Sequence, residues 1–228
     1  MIDDPRAAVV LLSGGLDSSV LLHHVRRELG YSSIHALSFL YGQRHVRELD
    51  CARWQACAAD VEMHRVIDLS FLGPLLSAGT TLIEGGGDVP DLALLNAKQL
   101  DQPPTYVPNR NMLLLSMAAA YAEANGMHDV FYGAQAQDEY GYWDCTVSFL
   151  ERINATLALN RRTPVTVHGP FMSLSKADTV RIGLRLGVEF AHTWSCYRGG
   201  EKPCGTCPTC VERSHAFEEA GAYDPLVQ

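Results

Sequence analysis

Two groups of residues in this chain have the types and spacing that chemistry requires. The first is Ser13-Gly14-Gly15-Leu16-Asp17-Ser18-Ser19, which follows the apolar run Val9-Val10-Leu11-Leu12. Glycines at a strand-to-helix turn let backbone amides approach a ligand, and the helix N-terminus behind them carries partial positive charge, so phosphate is the natural guest. No lysine follows the glycines as in a Walker loop, and the G-x-G-x-x-G spacing is missing. Asp17 would repel a bare phosphate, so a cation between them, magnesium, is implied. The plainer alternative is a simple turn with Asp17 capping a helix.

The second group is Cys196, Cys204, Cys207 and Cys210, spaced C-x7-C-x2-C-x2-C among glycines and prolines. Short turns of this kind bring four thiolates to one point, and four sulfurs complete a tetrahedral zinc shell with no open position, which is a structural site. The same short gaps occur in iron–sulfur proteins, so the cluster is the competing reading. Cys51 and Cys57 fall on a helical stretch and read as plain buried cysteines.

The elements that must position these groups follow from periodicity. Residues 9–12 predict a strand buried on both faces, and 18–29 a helix closed by Gly30. A strand over 34–41, a helix over 46–59 and a strand over 63–69 come next. Residues 73–108, proline-rich and carrying Gly85-Gly86-Gly87, carry no assignable pattern. Beyond them lie a helix over 111–125, a strand over 129–132, a helix over 146–159, a helix opened by Ser175 with Asp178 three residues on, and a last helix over 209–220. The alternation predicts an α/β fold with a doubly wound, mostly parallel sheet, organised as a body over 1–190 and a small cysteine-rich element over 191–228 packed on it. Loops leaving strand C-termini line the ligand crevice of such a sheet.

Bulk composition narrows the classes. The 228 residues are 47% hydrophobic and 19% charged, ordinary for a globular chain, and the net charge is −8 with no basic cluster, so direct nucleic-acid binding is not expected. The start, "MIDDPR", is not a leader, and no apolar run approaches a membrane span; the chain reads as cytoplasmic.

"SGGLDSS" resembles the pyrophosphatase-type ATP loop of adenylating synthetases. Together with "YGQRH", "PTYVPNRN", "GYWDC", "PFMSLSKADT" and "TWSCYRGG…CGTCPTC", in order from about residue 8 to 215, it resembles the 7-cyano-7-deazaguanine synthase family of the queuosine pathway. The resemblance implies an adenine nucleotide α-hydrolase-like fold, zinc on the four cysteines, and a reaction in which ATP, split to AMP and pyrophosphate, activates 7-carboxy-7-deazaguanine. Ammonia would then give the amide, and a second ATP the nitrile.

Under that scheme Leu12, Ser13, Gly14, Gly15, Leu16, Ser18 and Ser19 hold ATP, Asp17 serves magnesium, and Lys176 resembles the family's second phosphate-binding lysine. Tyr41, Gln43 and Arg44 follow the second strand beside the nucleoside half of ATP, whereas His45 by itself reads as structural. Arg110 pairs the substrate carboxylate or makes a structural salt bridge, with Asn111 beside it. Asp138 and Asp144 are the carboxylates for the two adjacent donors of a deazaguanine edge. Tyr140, Tyr142 and Trp143 stack on the ring or pack ordinarily. A homodimer is implied by resemblance alone.

The match loosens at Leu16, Asn109, Ala136, Trp143 and Thr146-Val147-Ser148, and all but Leu16 lie toward the substrate. The second reading is therefore a relative from bacterial antiviral gene clusters that passes the activated deazaguanine to a protein amine. A nucleotide-binding module without chemistry would not need Lys176, and an RNA-modifying relative would need a basic surface.

Overall fold

The computed structural model describes residues 6–135 and 141–227. The strands β1 (Ala7–Leu11), β2 (Ser33–Leu40), β3 (Met63–Asp68), β4 (Asp129–Phe131) and β5 (Thr166–His168) form one sheet in the order β3-β2-β1-β4-β5, with every pairing parallel. The helices are α1 (Leu16–Arg27), α2 (Arg47–Ala58), α3 (Gly73–Leu76), α4 (Ala97–Asp101), α5 (Arg110–Ala124), α6 (Val147–Leu157), α7 (Lys176–Arg185) and α8 (Pro208–Glu219).

Side chains alternate along a strand, and here each alternate set meets its own helical layer. Val9, Leu37, Val130 and Val167 turn to α5 and α6, against Leu115, Ala118, Ala122 and Phe149. Ala8, Val10, Ile34, Ala36 and Phe131 turn to the other face, against Val20, Leu21, Val180 and Phe217. A strand covered on both sides has no polar face, which is why β1 reads as an unbroken apolar run.

From β1 the chain builds outward to β3 and then crosses back to β4 and β5, so the order reverses between β1 and β4. The loops leaving neighbouring strands part there, and a crevice opens at their C-terminal ends.

α7 begins as the sequence predicts: Ser175 accepts from the Asp178 amide and Asp178 from the Ser175 amide, closing a capping box. α1 begins at Leu16, two residues before the predicted start, so Asp17 and Ser18 belong to its first turn. Residues 73–108 hold only the short α3 and α4 and isolated turns, tied down by single bonds such as Thr81 N to Pro104 O (2.8 Å) and Leu92 N to Thr206 O (2.9 Å). Leu82, Ile83, Val89 and Val107 are buried there without any period, which left the segment unreadable.

The last segment is built into both layers. Cys196, Cys207 and Cys210 belong to the α5 side, while Ala216 and Phe217 of α8 pack with the α1 side. Arg213 and Asp224, both nearly buried, close a two-pronged ion pair at 2.7 and 2.9 Å.

Candidate active site

The glycine loop is a small, self-bonded turn. The amides of Ser13 and Gly14 both donate to Ser18 Oγ at 3.2 Å, and the Gly15 amide donates to Ser13 Oγ at 3.1 Å. Gly14 has φ +89°, and a Cβ on it would lie 1.9 Å from the Glu48 carbonyl oxygen, so only glycine lets this turn lie on α2. The Gly14 carbonyl accepts from the Trp194 amide at 2.9 Å, which ties the loop to the segment leading to the cysteines. Gly15 caps α1 without a side-chain acceptor, so the positive end of the helix dipole is left for an anion at the cavity that Gly15 lines.

A cavity of about 250 Å³ opens at this loop, across the C-terminal ends of β1, β2 and β4. Its two ends differ. At the loop end, Lys176 Nζ stands 3.6 Å from Asp17 Oδ2 and 3.2 Å from Glu212 Oε2. Lys176 occupies the first position of α7, where the helix dipole disfavours a cation, and the two carboxylates offset that cost. This end can bind an anion against Lys176 and a hard cation against Asp17.

The far end is aromatic, with Tyr41, Tyr142 and Tyr197 around Arg110, His45 and Glu48. Burial opposes the Arg110 charge, but Tyr41, Tyr197, Cys145 and Asp144 outweigh it and raise its pKa, so the guanidinium stays charged. Burial pushes the Tyr41 and Tyr142 phenols up, against the pull of Arg110, and keeps them neutral. A planar ring with an anionic substituent fits such a chamber.

The sequence-predicted residues divide accordingly. Leu12, Ser13, Gly15, Leu16, Asp17, Ser18, Tyr41, Arg110, Asn111, Tyr142 and Lys176 line the cavity, with Gly14 shaping the loop behind them.

Others are placed elsewhere. Ser19 is wholly buried on α1 and does not line the cavity. Gln43, also buried, accepts from the Tyr41 amide at 2.7 Å and donates to the Phe39 carbonyl at 2.9 Å, so its side chain holds the end of β2 rather than a nucleoside. Arg44 donates to the Gly87 carbonyl at 2.6 Å, and it too lies outside the lining. Asp144 is buried and accepts from the Asn111 amide at 3.0 Å, anchoring the start of α5. Trp143 donates to Tyr106 Oη at 2.6 Å and stands edge-on to Phe149, which is packing. Asp138, Tyr140 and Ala136 lie outside the described residues.

Sequence reasoning passed over Glu48, Glu212 and Tyr197, and it took His45 as structural, yet all four line the cavity. Tyr197 lies in "TWSCYRGG" and was therefore within reach. Glu48 and Glu212 sit on amphipathic helices where a glutamate is ordinary, and only tertiary placement distinguishes them.

The cysteine group forms a second, separate centre. The four Sγ atoms lie within 4.8 Å of one another, and the Cys204 and Cys210 sulfurs are 3.9 Å apart. The amides of Cys204 and Cys207 point at the sulfurs of Cys196 and Cys204 at 3.4 and 3.3 Å. Hydrogen bonds from Cys207 and Cys210 draw the Cys196 thiol down to about 3, while Cys196 and Cys207 push Cys210 up. Thiols this close cannot all ionise unless a cation shares them, and the donor set suits a soft or borderline metal ion.

The reversed strand order, the glycine loop and the cavity at the switch point define a doubly wound α/β protein of the adenine nucleotide α-hydrolase-like type. In fold the chain is similar to the solved structure of NMN synthetase from Francisella tularensis, with a TM-score of 0.53 at 13% identity over 97% of this chain and 79% of that one. The family model "Queuosine biosynthesis protein QueC" matches residues 7–221, and the chain belongs to that family. It is 45% identical over 221 residues to the 7-cyano-7-deazaguanine synthase of Archaeoglobus fulgidus, covering 96% of this chain and 89% of the relative. With the 7-cyano-7-deazaguanine synthase of Caldicellulosiruptor saccharolyticus it shares 42% over 219 residues, covering 96% and 94%.

Proposed function

We propose that this protein is an ATP-dependent synthase that converts 7-carboxy-7-deazaguanine to 7-cyano-7-deazaguanine. A carboxylate is a poor acylating agent until one oxygen becomes part of a good leaving group. The substrate carboxylate attacks the first phosphorus of ATP, forming an acyl-adenylate and releasing pyrophosphate. Ammonia displaces AMP to give the amide and loses a proton. The amide oxygen then attacks the first phosphorus of a second ATP, releasing pyrophosphate, and leaves as part of AMP while the nitrogen gives up its two protons, which forms the nitrile.

The observation that carries this reading is the two-ended cavity, in which an anion site with Lys176 adjoins an aromatic chamber with Arg110. Lys176 and the positive end of α1 take up the charge that develops on leaving pyrophosphate, and Arg110 orients the substrate carboxylate. Magnesium, held by Asp17, would neutralise the phosphates.

Zinc suits the cysteine centre, since a tetrahedron with metal–sulfur bonds of about 2.3 Å sets its sulfurs roughly 3.8 Å apart. An iron–sulfur cluster places irons and sulfides between the thiolates and needs them more widely spread. Cys196, Cys204, Cys207 and Cys210 would hold the ion, which staples α8 to the body and takes no part in the chemistry.

The test is pyrophosphate release with 7-carboxy-7-deazaguanine and ammonia, followed by product mass. Release of pyrophosphate with formation of the nitrile is the expected result. ADP and inorganic phosphate would overturn the proposal, and turnover only with a protein amine would transfer it to conjugation.

A further inference from the structure

Among the described residues three carboxylates line the cavity: Asp17, Glu48 and Glu212. Two of them flank Lys176 at the loop end. Glu48, only 8% exposed and in the first turn of α2, is the third, lining the cavity with His45 and Tyr197. Its carboxylate meets His45 Nε2 at 3.3 Å and has no other polar partner among the described residues. His45 is itself 4% exposed and stands 5.6 Å from the Tyr197 ring. The imidazole beside one carboxylate oxygen restricts where Glu48 can turn, and a carboxylate keeps further acceptor capacity for a ligand in the cavity it lines. The Glu48 backbone packs closely on Gly14, which fixes the start of α2 against the glycine loop.

A nearly buried carboxylate in a ligand cavity is costly unless donors meet it. We propose that Glu48, held by His45 as a positioning residue, is the specificity-determining group that accepts the paired donors of a guanine-type edge, the ring N–H and the exocyclic amino group. This rests on the substrate class proposed above. Asp144, the described carboxylate the sequence suggested for the task, is occupied at the start of α5. Arg110, Tyr41 and Glu48 line the same cavity, so it offers a cation to the acid group and an anion to the donor edge of the same ring. Adenine does not fit this role, because its amino donor lies beside a ring acceptor that would face the carboxylate.

The test compares 7-carboxy-7-deazaguanine with its analogue lacking the 2-amino group, at saturating ATP and ammonia. The native protein is expected to lose about a hundredfold in kcat/KM on the analogue, since an oxygen of Glu48 is left unpaired. Glu48→Gln should raise KM for the acid about tenfold or more, leave KM for ATP within about twofold, and shrink the discrimination between the two acids to about threefold or less. Equal use of both acids by the native protein, discrimination intact in Glu48→Gln, or a rise in KM for ATP alone would overturn the proposal.

If neither acid turns over, the reaction proposed above fails on its own. Calorimetry with guanine and hypoxanthine then decides the Glu48 assignment. A preference for guanine that Glu48→Gln abolishes supports it, and equal or absent binding sinks it.

Discussion

The two ends of the cavity are built by different means. The loop end is one short stretch of chain whose amides, hydroxyls and helix dipole act together, with Lys176 added from α7. The aromatic end gathers Tyr41, Glu48, Arg110, Tyr142 and Tyr197 from separate segments, and almost everything it offers is a side chain. A backbone cradle is specified by a few neighbouring residues, whereas a side-chain chamber exists only when distant segments are brought together. Trp143, where the motif match loosens, packs on Tyr106 and Phe149 outside the lining of the chamber.

The largest effect should come from what both ends share. Trp194 holds the Gly14 carbonyl, Tyr197 lines the aromatic end, and Cys196 lies between them. If the cysteines hold zinc as proposed, a strong chelator, or replacing Cys207 with Ser, should lower the thermal midpoint by roughly 10 °C or more and abolish binding of both ATP and the acid. Elemental analysis should find about one zinc per chain. Loss of ATP binding alone would show that the cysteine centre serves only one end.

Asp17→Asn addresses the loop end by itself. Pyrophosphate release should fall by about a thousandfold while the urea midpoint stays unchanged. Near-normal turnover would remove the cation from Asp17. Gly14→Ala strikes the same end through the fold: with φ +89° and a Cβ 1.9 Å from the Glu48 carbonyl oxygen, it should cost about 3 kcal/mol in urea unfolding.

At the other end, Trp143→Phe removes one hydrogen bond from a half-exposed ring. It should change stability by about 1 kcal/mol or less and KM for either substrate by less than about twofold. A large rise in KM for the acid would place Trp143 in the chamber after all.

The smallest effect tests the helix that presents Lys176. Hydrogen bonds from Ser175, its hydroxyl above all, hold the Asp178 carboxyl below its ordinary 3.8. A folded-state pKa depressed in this way gives stability present above the unfolded value, lost as pH falls through the folded one. Asp178→Asn should therefore flatten the fall in urea midpoint between neutral pH and about pH 3. An unchanged acid limb would show that the box contributes nothing to pH dependence.

Much of this was legible beforehand. The strand–loop–helix around Gly14, the capping box at Ser175 and the four cysteines were all visible, and the structure places them as read, apart from the two-residue shift in α1. Gln43 and Arg44 do not line the cavity, for an instructive reason. Position after a strand says which end of the sheet a residue occupies, but a side chain there can turn back to the backbone, as Gln43 does. Asp144 shows the same limit, since a carboxylate suited to a ligand is equally suited to a buried helix start.

The sequence by itself determined the parallel α/β layering, the glycine turn and the cysteine centre, because each depends on periodicity or on residues within a few positions of one another. Only the tertiary structure decided that Glu48, His45, Tyr197 and Glu212 face one cavity. Their meeting depends on strand order and helix docking across the whole chain, and no local pattern carries that information.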